Sequence, residues 1–184
     1  NISRVLESDL ILVSKLLKDN FGYETGAYKD FYHKSNNMKG ILRLDFNIAK
    51  NHKLSASYNF LDAFKDKPAH PSAIGARGPS LQTLQFQNSG YRINNKLHSG
   101  IVELKSVFGS RYSNKLQATY TAFRDSRDPF SAPFPVLNIG KGGSRYIIAG
   151  HEPFSIHNVL DQDVITIQDN FNIYYKNHAF TIGG

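Results

Sequence analysis

The 184-residue chain contains no cysteine, has no methionine at its start, and has no long hydrophobic run. Without cysteine, disulfides and thiolate chemistry are excluded, although this says little about the compartment. No run approaches the roughly 20 apolar residues that a membrane-spanning helix needs. No signal peptide is recognisable, and the sequence stops at Ile182-Gly183-Gly184 in what reads as mid-strand. We therefore expect a fragment of a larger protein.

The charge balance is basic, but the positive residues form no block. The formal net charge is +7 and the isoelectric point is about 9.5. Such a balance is compatible with nucleic acid, anionic lipid or acidic ligands. Lys and Arg are instead scattered through predicted turns and loops, which indicates a solvated surface. The mean hydropathy of −0.39 argues against a helical membrane protein. It does not argue against a barrel with a polar lumen.

Short turns alternate with long loops along the sequence. Short turns are predicted at 49–52, 109–113 and 176–178, and long loops near 65–96 and 126–162. In a transmembrane β-barrel, short periplasmic turns lie at one end and long extracellular loops at the other. A compact soluble domain seldom contains irregular loops of this length. The rhythm therefore favours a barrel segment.

The segments beside the turns alternate apolar and polar residues, which predicts strands with one apolar face. The third predicted strand, about 97–108, alternates less cleanly, because Ile101 and Val107 fall on its polar side. Asp169 falls on the apolar side of the fifth strand, where a bulge, a position near the headgroups or a later strand start would accommodate it. The apolar set comprises Leu42, Leu44, Phe46 and Ile48, then Leu54, Ala56, Tyr58 and Phe60, then Val102 and Leu104, then Leu116, Ala118, Tyr120 and Ala122, then Ile165, Ile167, Phe171, Ile173 and Tyr175, and finally Phe180 and Ile182.

Alternation does not show what covers the apolar face. In a barrel it meets lipid, and in a sandwich it meets a second sheet. Aromatic residues near predicted strand ends, as in interfacial girdles, give mild support to the barrel. The alternative is a soluble β-rich binding or adhesion module.

One short helix is predicted near the N-terminus, within a segment 1–39 that is otherwise loop. Its apolar stripe is Leu6, Leu10, Val13 and Leu17. Ser8 is a candidate N-cap, and Asn20 and Gly22 would end the helix. We expect the stripe to pack on the loops of the chain itself.

Several stretches resemble the Oar-like group of TonB-dependent outer-membrane receptors, and their order and spacing are more specific than any one of them. The resemblance covers most of the chain. The stretches are residues 21–26, 42–48, 52–55, 103–109, 112–114, 124–129, 133–135, 151–155 and 168–178.

The resemblance implies an all-β fold: about six antiparallel strands of a larger, 22-stranded transmembrane β-barrel. Residues 40–184 would form three hairpins with two long extracellular loops, and the N-terminal plug domain would be absent. The resemblance also implies that the full-length protein lies in the lipid of the outer membrane and actively takes up a nutrient ligand, which the extracellular loops bind. The TonB complex would supply the energy through the plug domain. Six strands alone leave open edges, so this segment is not expected to transport by itself.

No pattern in the sequence predicts an enzyme, a cofactor or a metal site, and no ligand-contacting residue can be named. His151, Glu152 and His157 lack metal-ligand spacing, and residues 140–144 lack the spacing of a phosphate loop, so loop residues and a flexible loop tip are expected there. Nucleic-acid binding is not predicted, because the aromatics share a face with Leu and Ile. The mixed charges Arg124, Asp125, Arg127 and Asp128 are expected to neutralise one another at a strand end, and Asp161 and Asp163 to end a loop.

Overall fold

A computed structural model describes residues 3–69 and 78–184. It is mostly antiparallel β-sheet, with 59% of residues in strands and one α-helix, so the prediction of an all-β fold with a short helix is confirmed. No described helix is both long and apolar enough to cross a membrane. The elements, in chain order, are α1 (Glu7–Phe21), β1 (Ser35–Ala49), β2 (His52–Lys67), β3 (Leu84–Gln85), the 3-10 helix η1 (Gln87–Ser89), β4 (Tyr91–Phe108), β5 (Tyr112–Pro129), β6 (Leu137–Lys141), β7 (Ser144–Ala149), β8 (Val159–Tyr175) and β9 (His178–Gly183).

The main sheet has six strands in the order β1-β2-β4-β5-β8-β9, and it is open in the described chain. The predicted short turns join its hairpins: residues 50–51 link β1 to β2, 109–111 link β4 to β5, and 176–177 link β8 to β9. In the last hairpin Tyr175 pairs with His178 and Phe171 with Ile182, in a continuous antiparallel register. The positions of the short turns were therefore predicted correctly.

The strands are longer than the alternation predicted. β4 begins at Tyr91 rather than near 97, β5 continues to Pro129, and β8 begins at Val159. Asp161 and Asp163 consequently lie within a strand, and the expectation that they end a loop is wrong. Cross-strand hydrogen bonds, such as Arg127 N to Asn158 O at 2.9 Å, extend the pairing through polar segments that carry no hydrophobic signal.

The segments predicted as irregular loops contain a second sheet, in the order β3-β7-β6. β7 pairs in parallel with β3 and antiparallel with β6. Gly142-Gly143 forms the tight turn between β6 and β7, where the sequence had suggested a flexible tip. β7 is the most buried strand, because Tyr146, Ile147, Ile148 and Ala149 are all shielded from solvent.

Helix α1 packs on this small sheet, as its stripe predicted. Leu10 and Leu17 are buried in one cluster with Phe86 and Ile147. The predicted N-cap is wrong: Leu6 holds that position, without a side-chain hydrogen bond, and Ser8 lies inside the helix. Of the two predicted stops, Gly22 is correct, since it adopts φ +66° and its N–H donates to Lys18 O at 2.9 Å, whereas Asn20 lies inside the helix.

The chain divides into two compact units. The loop unit, as we call it, comprises residues 1–36, 63–94 and 125–159, and holds α1 and the small sheet. The strand unit comprises residues 37–62, 95–124 and 160–184, and holds the three short turns and most of the main sheet.

Candidate functional site

The apolar face of the strand unit is exposed in every strand of the sheet. Ile165 and Ile167 are 73% and 70% exposed. Side chains on this face contact one another across strands: Tyr112 stacks on Phe171 with ring centroids 5.9 Å apart, and His52 meets Phe108 edge-on at 5.7 Å. Other members at least 40% exposed are Leu42, Leu44, Phe46, Ile48, Tyr58, Val102, Leu116, Tyr120, Tyr175, Phe180 and Ile182. No described element of the strand unit packs on this face.

The opposite face carries polar side chains that bond across strands. Arg43 donates to Asp45 at 3.1 Å and to Ser55 at 3.1 Å, and Ser55 donates to Asp45. Ser55 is 4% exposed, far less than the isoleucines on the other face. The side chains shielded from solvent in the described strand unit are those of Ser55, Ser99, Ser106 and Ala122, whereas its large apolar side chains are not; on β1 and β8 the polar side chains are mostly exposed as well. We call this pattern inverted burial, because large apolar side chains are the buried ones in a water-soluble protein.

The same polar face continues across the remaining strands. Ser99 and Thr121 lie 2.8 Å apart through their hydroxyl groups, and Ser99 is 8% exposed. Glu103 accepts from Lys115 at 2.9 Å and Lys105 at 3.0 Å, and keeps only 12% of its side chain exposed. These contacts satisfy charged and hydroxyl groups within the sheet, so this face suits a hydrated environment.

Two ion pairs lie on the apolar side, many residues along their strands from the short turns. Lys96 approaches Asp62 at 3.6 Å between β4 and β2. Arg124 pairs with Asp163 at 2.7 Å between β5 and β8, and Tyr120 also donates to Asp163 at 2.8 Å. Residue parity places all four charged residues on the apolar face. We call these two pairs the ionic row.

Arg124 thus finds its partner outside the charged segment 124–128, contrary to the expectation that the segment neutralises itself. Asp128 accepts from Asn94 at 2.6 Å, and the Arg127 guanidinium lies 5.9 Å from the centre of the Tyr91 ring. Because β5 is extended, Arg124 and the adjacent Asp125 lie on opposite faces, and Arg124 pairs across to β8.

Asp169 lies on the apolar face without a bulge on the β9 side. Its N–H donates to Gly184 O at 2.9 Å, and Gly184 N–H returns a bond at 3.1 Å. This reciprocal pair continues the register of Asn170 with Gly183. Of the three sequence-based explanations, a bulge is therefore wrong for this ladder, and a later strand start is excluded because β8 begins at Val159.

His151 and Glu152 are buried, at 2% and 1% exposure, although they were expected to be ordinary polar loop residues. His151 Nδ1 lies 3.0 Å from Ser131 O, so Nδ1 carries the proton and donates to that carbonyl. Glu152 accepts from Ser155 Oγ and from Phe154 N. His157 is exposed. Across residues 3–69 and 78–184, no group of three or more His, Cys, Asp or Glu could hold a metal ion.

The loop unit contains a pocket of about 250 Å³ that sequence reasoning missed. Tyr28, Phe31 and Phe86 provide aromatic walls. Tyr28 meets Phe86 edge-on with centroids 6.4 Å apart, and Phe31 meets His33 at 5.6 Å. The part of segment 1–39 that follows the helix had been predicted only as loop. Its aromatic residues lack periodicity, so only the tertiary structure brings them together with Phe86.

Helix α1 holds one wall of the pocket through Glu7. The Glu7 carboxylate accepts from Lys29 at 2.6 Å and from Tyr28 at 2.7 Å. The hydrogen bond from Lys29, followed by that from Tyr28, lowers the pKa of Glu7. Both hydrogen bonds therefore fix this wall while Glu7 is ionised.

Comparison with protein families, with curated proteins and with solved structures found no match for this chain.

Proposed function

We propose that the chain is a barrel segment of a TonB-dependent outer-membrane receptor that takes up a nutrient ligand. The observation that carries this proposal is the inverted burial of the strand unit, where Ile167 is exposed and Ser55 is shielded. Hydrocarbon is a favourable solvent for exposed isoleucine and phenylalanine, whereas water is not. The polar face would then line a hydrated lumen.

The dimensions of the apolar face support this proposal. From Tyr112 to Tyr120, β5 advances eight residues, or about 26 Å at about 3.3 Å per residue. A strand tilt of about 40° reduces this to about 20 Å along the membrane normal, and to about 30 Å if Arg124 is included. These heights bracket the roughly 25 Å apolar band of outer-membrane barrels. The ionic row would then lie at the headgroups.

The receptor part of the proposal rests on the loops and on the family resemblance. Two long connections between strands fold into a unit with a helix, a small sheet and a buried cluster. Binding residues concentrate on loops held by a rigid scaffold. We therefore propose that the loop unit contacts the ligand and that a plug domain couples uptake to the TonB complex. We propose no catalytic role for this segment.

The test is the accessibility of single cysteines in isolated outer membranes that contain the full-length protein. The 184 residues contain no native cysteine, so each introduced thiol in this segment is reported separately. Ile165→Cys and Thr166→Cys are neighbours on opposite faces of β8, and both side chains are exposed. We expect a charged maleimide, which needs the thiolate, to label only Thr166→Cys. We expect a lipid-soluble, light-activated carbene, which needs no thiolate, to label position 165 of the Ile165→Cys variant.

Leu44→Cys and Asn47→Cys form a second such pair on β1, and we expect the same contrast there. Rapid labelling of Ile165→Cys by the charged reagent, or recovery of the full-length protein in the soluble fraction, would overturn the proposal. Protection of Ile165→Cys from both reagents would instead indicate a second protein layer and support the soluble binding module.

A further inference from the structure

We propose that the aromatic pocket of the loop unit binds an aromatic ring that carries a positively charged amine. This names a ligand class for the proposed receptor, and it rests on that function for its biological role. The pocket volume of about 250 Å³ exceeds the roughly 150 Å³ that suffices for benzene in a protein cavity. One substituted ring therefore fits.

The walls suit an aromatic guest. Tyr28, Phe31 and Phe86 supply ring surfaces, and Pro68, Pro79 and Leu84 supply aliphatic surface. Aromatic pairs gain from edge-to-face and offset contacts beyond simple burial. A mostly apolar pocket with a few polar groups at its rim is the usual form of a small-molecule site.

Hydrogen bonds within the protein hold the pocket in shape before any ligand binds. Gln87 N–H donates to Ala27 O at 2.8 Å, and Phe86 N–H donates to Ile148 O at 3.1 Å. Gln85 accepts from Ala69 N–H at 3.1 Å and donates to Gly78 O at 3.0 Å. Because the walls are already ordered, binding loses little conformational entropy.

Charge at the rim favours a cation. Lys29 is neutralised by Glu7 at 2.6 Å, and the two lie beside a second carboxylate, that of Asp30. Asp30 forms no ion pair in the parts of the chain that the structure describes, so these three residues carry a net negative charge. Asp30 also adopts φ +58°, an uncommon backbone conformation for a residue with a side chain.

The experiment compares two probes that share a ring and differ in charge. Tyramine carries an ammonium, and 4-hydroxyphenylacetate carries a carboxylate. We expect isothermal titration of the full-length protein in detergent to show tyramine binding at least about ten-fold tighter than its anionic counterpart. Equal affinity for the two probes, or no binding of tyramine, would overturn the proposal.

Two matched variant pairs locate the site. Asp30→Asn should weaken tyramine about five- to ten-fold. Asn tolerates a positive φ, so the backbone is preserved. Asp161→Asn removes the same charge in the strand unit and should leave the affinity unchanged. Phe31→Ala should weaken both probes, whereas Tyr32→Ala, at a side chain 84% exposed and outside the pocket walls, should weaken neither.

Circular dichroism verifies that each variant folds. If Asp30→Asn and Phe31→Ala are both folded and bind tyramine as the parent does, the pocket is not the site. Failure here is distinct from failure of the receptor proposal. Cysteine labelling reports lipid contact without any ligand, and titration reports the pocket whether or not the strands lie in a membrane.

Discussion

Replacing Ile167 by arginine tests whether the apolar face contacts lipid or water. The side chain is 70% exposed, and it lies on β8 four residues beyond Asp163 of the ionic row. Four residues advance about 13 Å along the strand, or about 10 Å along the membrane normal at a tilt of about 40°. Ile167 would therefore lie well inside the apolar band.

The expected magnitude differs between the two environments. An arginine near the bilayer midplane costs about 2 to 4 kcal/mol in an outer-membrane barrel. At an exposed position in water, the same substitution changes stability by less than about 0.5 kcal/mol. In lipid, the equilibrium constant for folding should therefore fall roughly 30- to 900-fold.

The assay is a urea titration of the full-length protein folded into lipid vesicles, with insertion followed by protection from protease. The matched control is Gln168→Arg, the next residue on β8, which is exposed on the polar face. We expect that control to remain within about 0.5 kcal/mol of the parent. If both arginine variants match the parent, the apolar face does not lie in hydrocarbon, and the reasoning from inverted burial fails.

Three further outcomes follow. Asp169→Leu should increase stability in vesicles if Asp169 lies in hydrocarbon, because it removes the one carboxylate between the ionic row and the β8–β9 turn on the apolar face of β8. Unchanged stability in the urea titration would place Asp169 near the headgroups or in water, and lower stability would place it against a partner. Gly150→Ala should destabilise the loop unit by more than about 2 kcal/mol, because Gly150 has φ +93° and an added Cβ would lie 2.0 Å from Pro135 O. An unchanged melting temperature in thermal melts would contradict this. The hydrogen bond from Lys141 lowers the pKa of Asp9, so ionised Asp9 stabilises the fold fully above the usual carboxyl pKa of 3.8, and this stabilisation is lost as the pH falls below it. Asp9→Asn should therefore reduce the loss of stability on the acid side in thermal melts across pH. An unaltered pH profile would refute that role.

The sequence predicted those parts of the fold that local patterning determines. Alternation at Leu42 to Ile48 located a strand, and Gly22 located the end of the helix, because both signals lie within a few residues. The small sheet was not predicted, because β3 has two residues and gains its place only by pairing with β7, more than fifty positions away. Such pairing leaves no local period.

The pocket was missed for a related reason. Tyr28 and Phe31 belong to an irregular segment, and Phe86 lies far along the chain next to η1. Their proximity depends on hydrogen bonds such as Asn88 N–H to Thr25 O at 3.0 Å. Binding sites assembled from separate loops in this way have no sequence spacing to detect, so only the folded chain reveals them.

The ionic row bears on the choice between lipid and a covering protein layer. A second sheet packed about 10 Å away over Ile165 and Tyr120 would also approach Arg124 and Asp163. Withdrawing such a pair from water costs several kcal/mol per ion, which their attraction offsets only with excellent geometry and further hydrogen bonds. A bilayer has no such conflict, since its apolar depth ends where polar headgroups begin. The placement of Asp62 with Lys96 at the same end of the apolar face therefore favours a membrane boundary over a sandwich core.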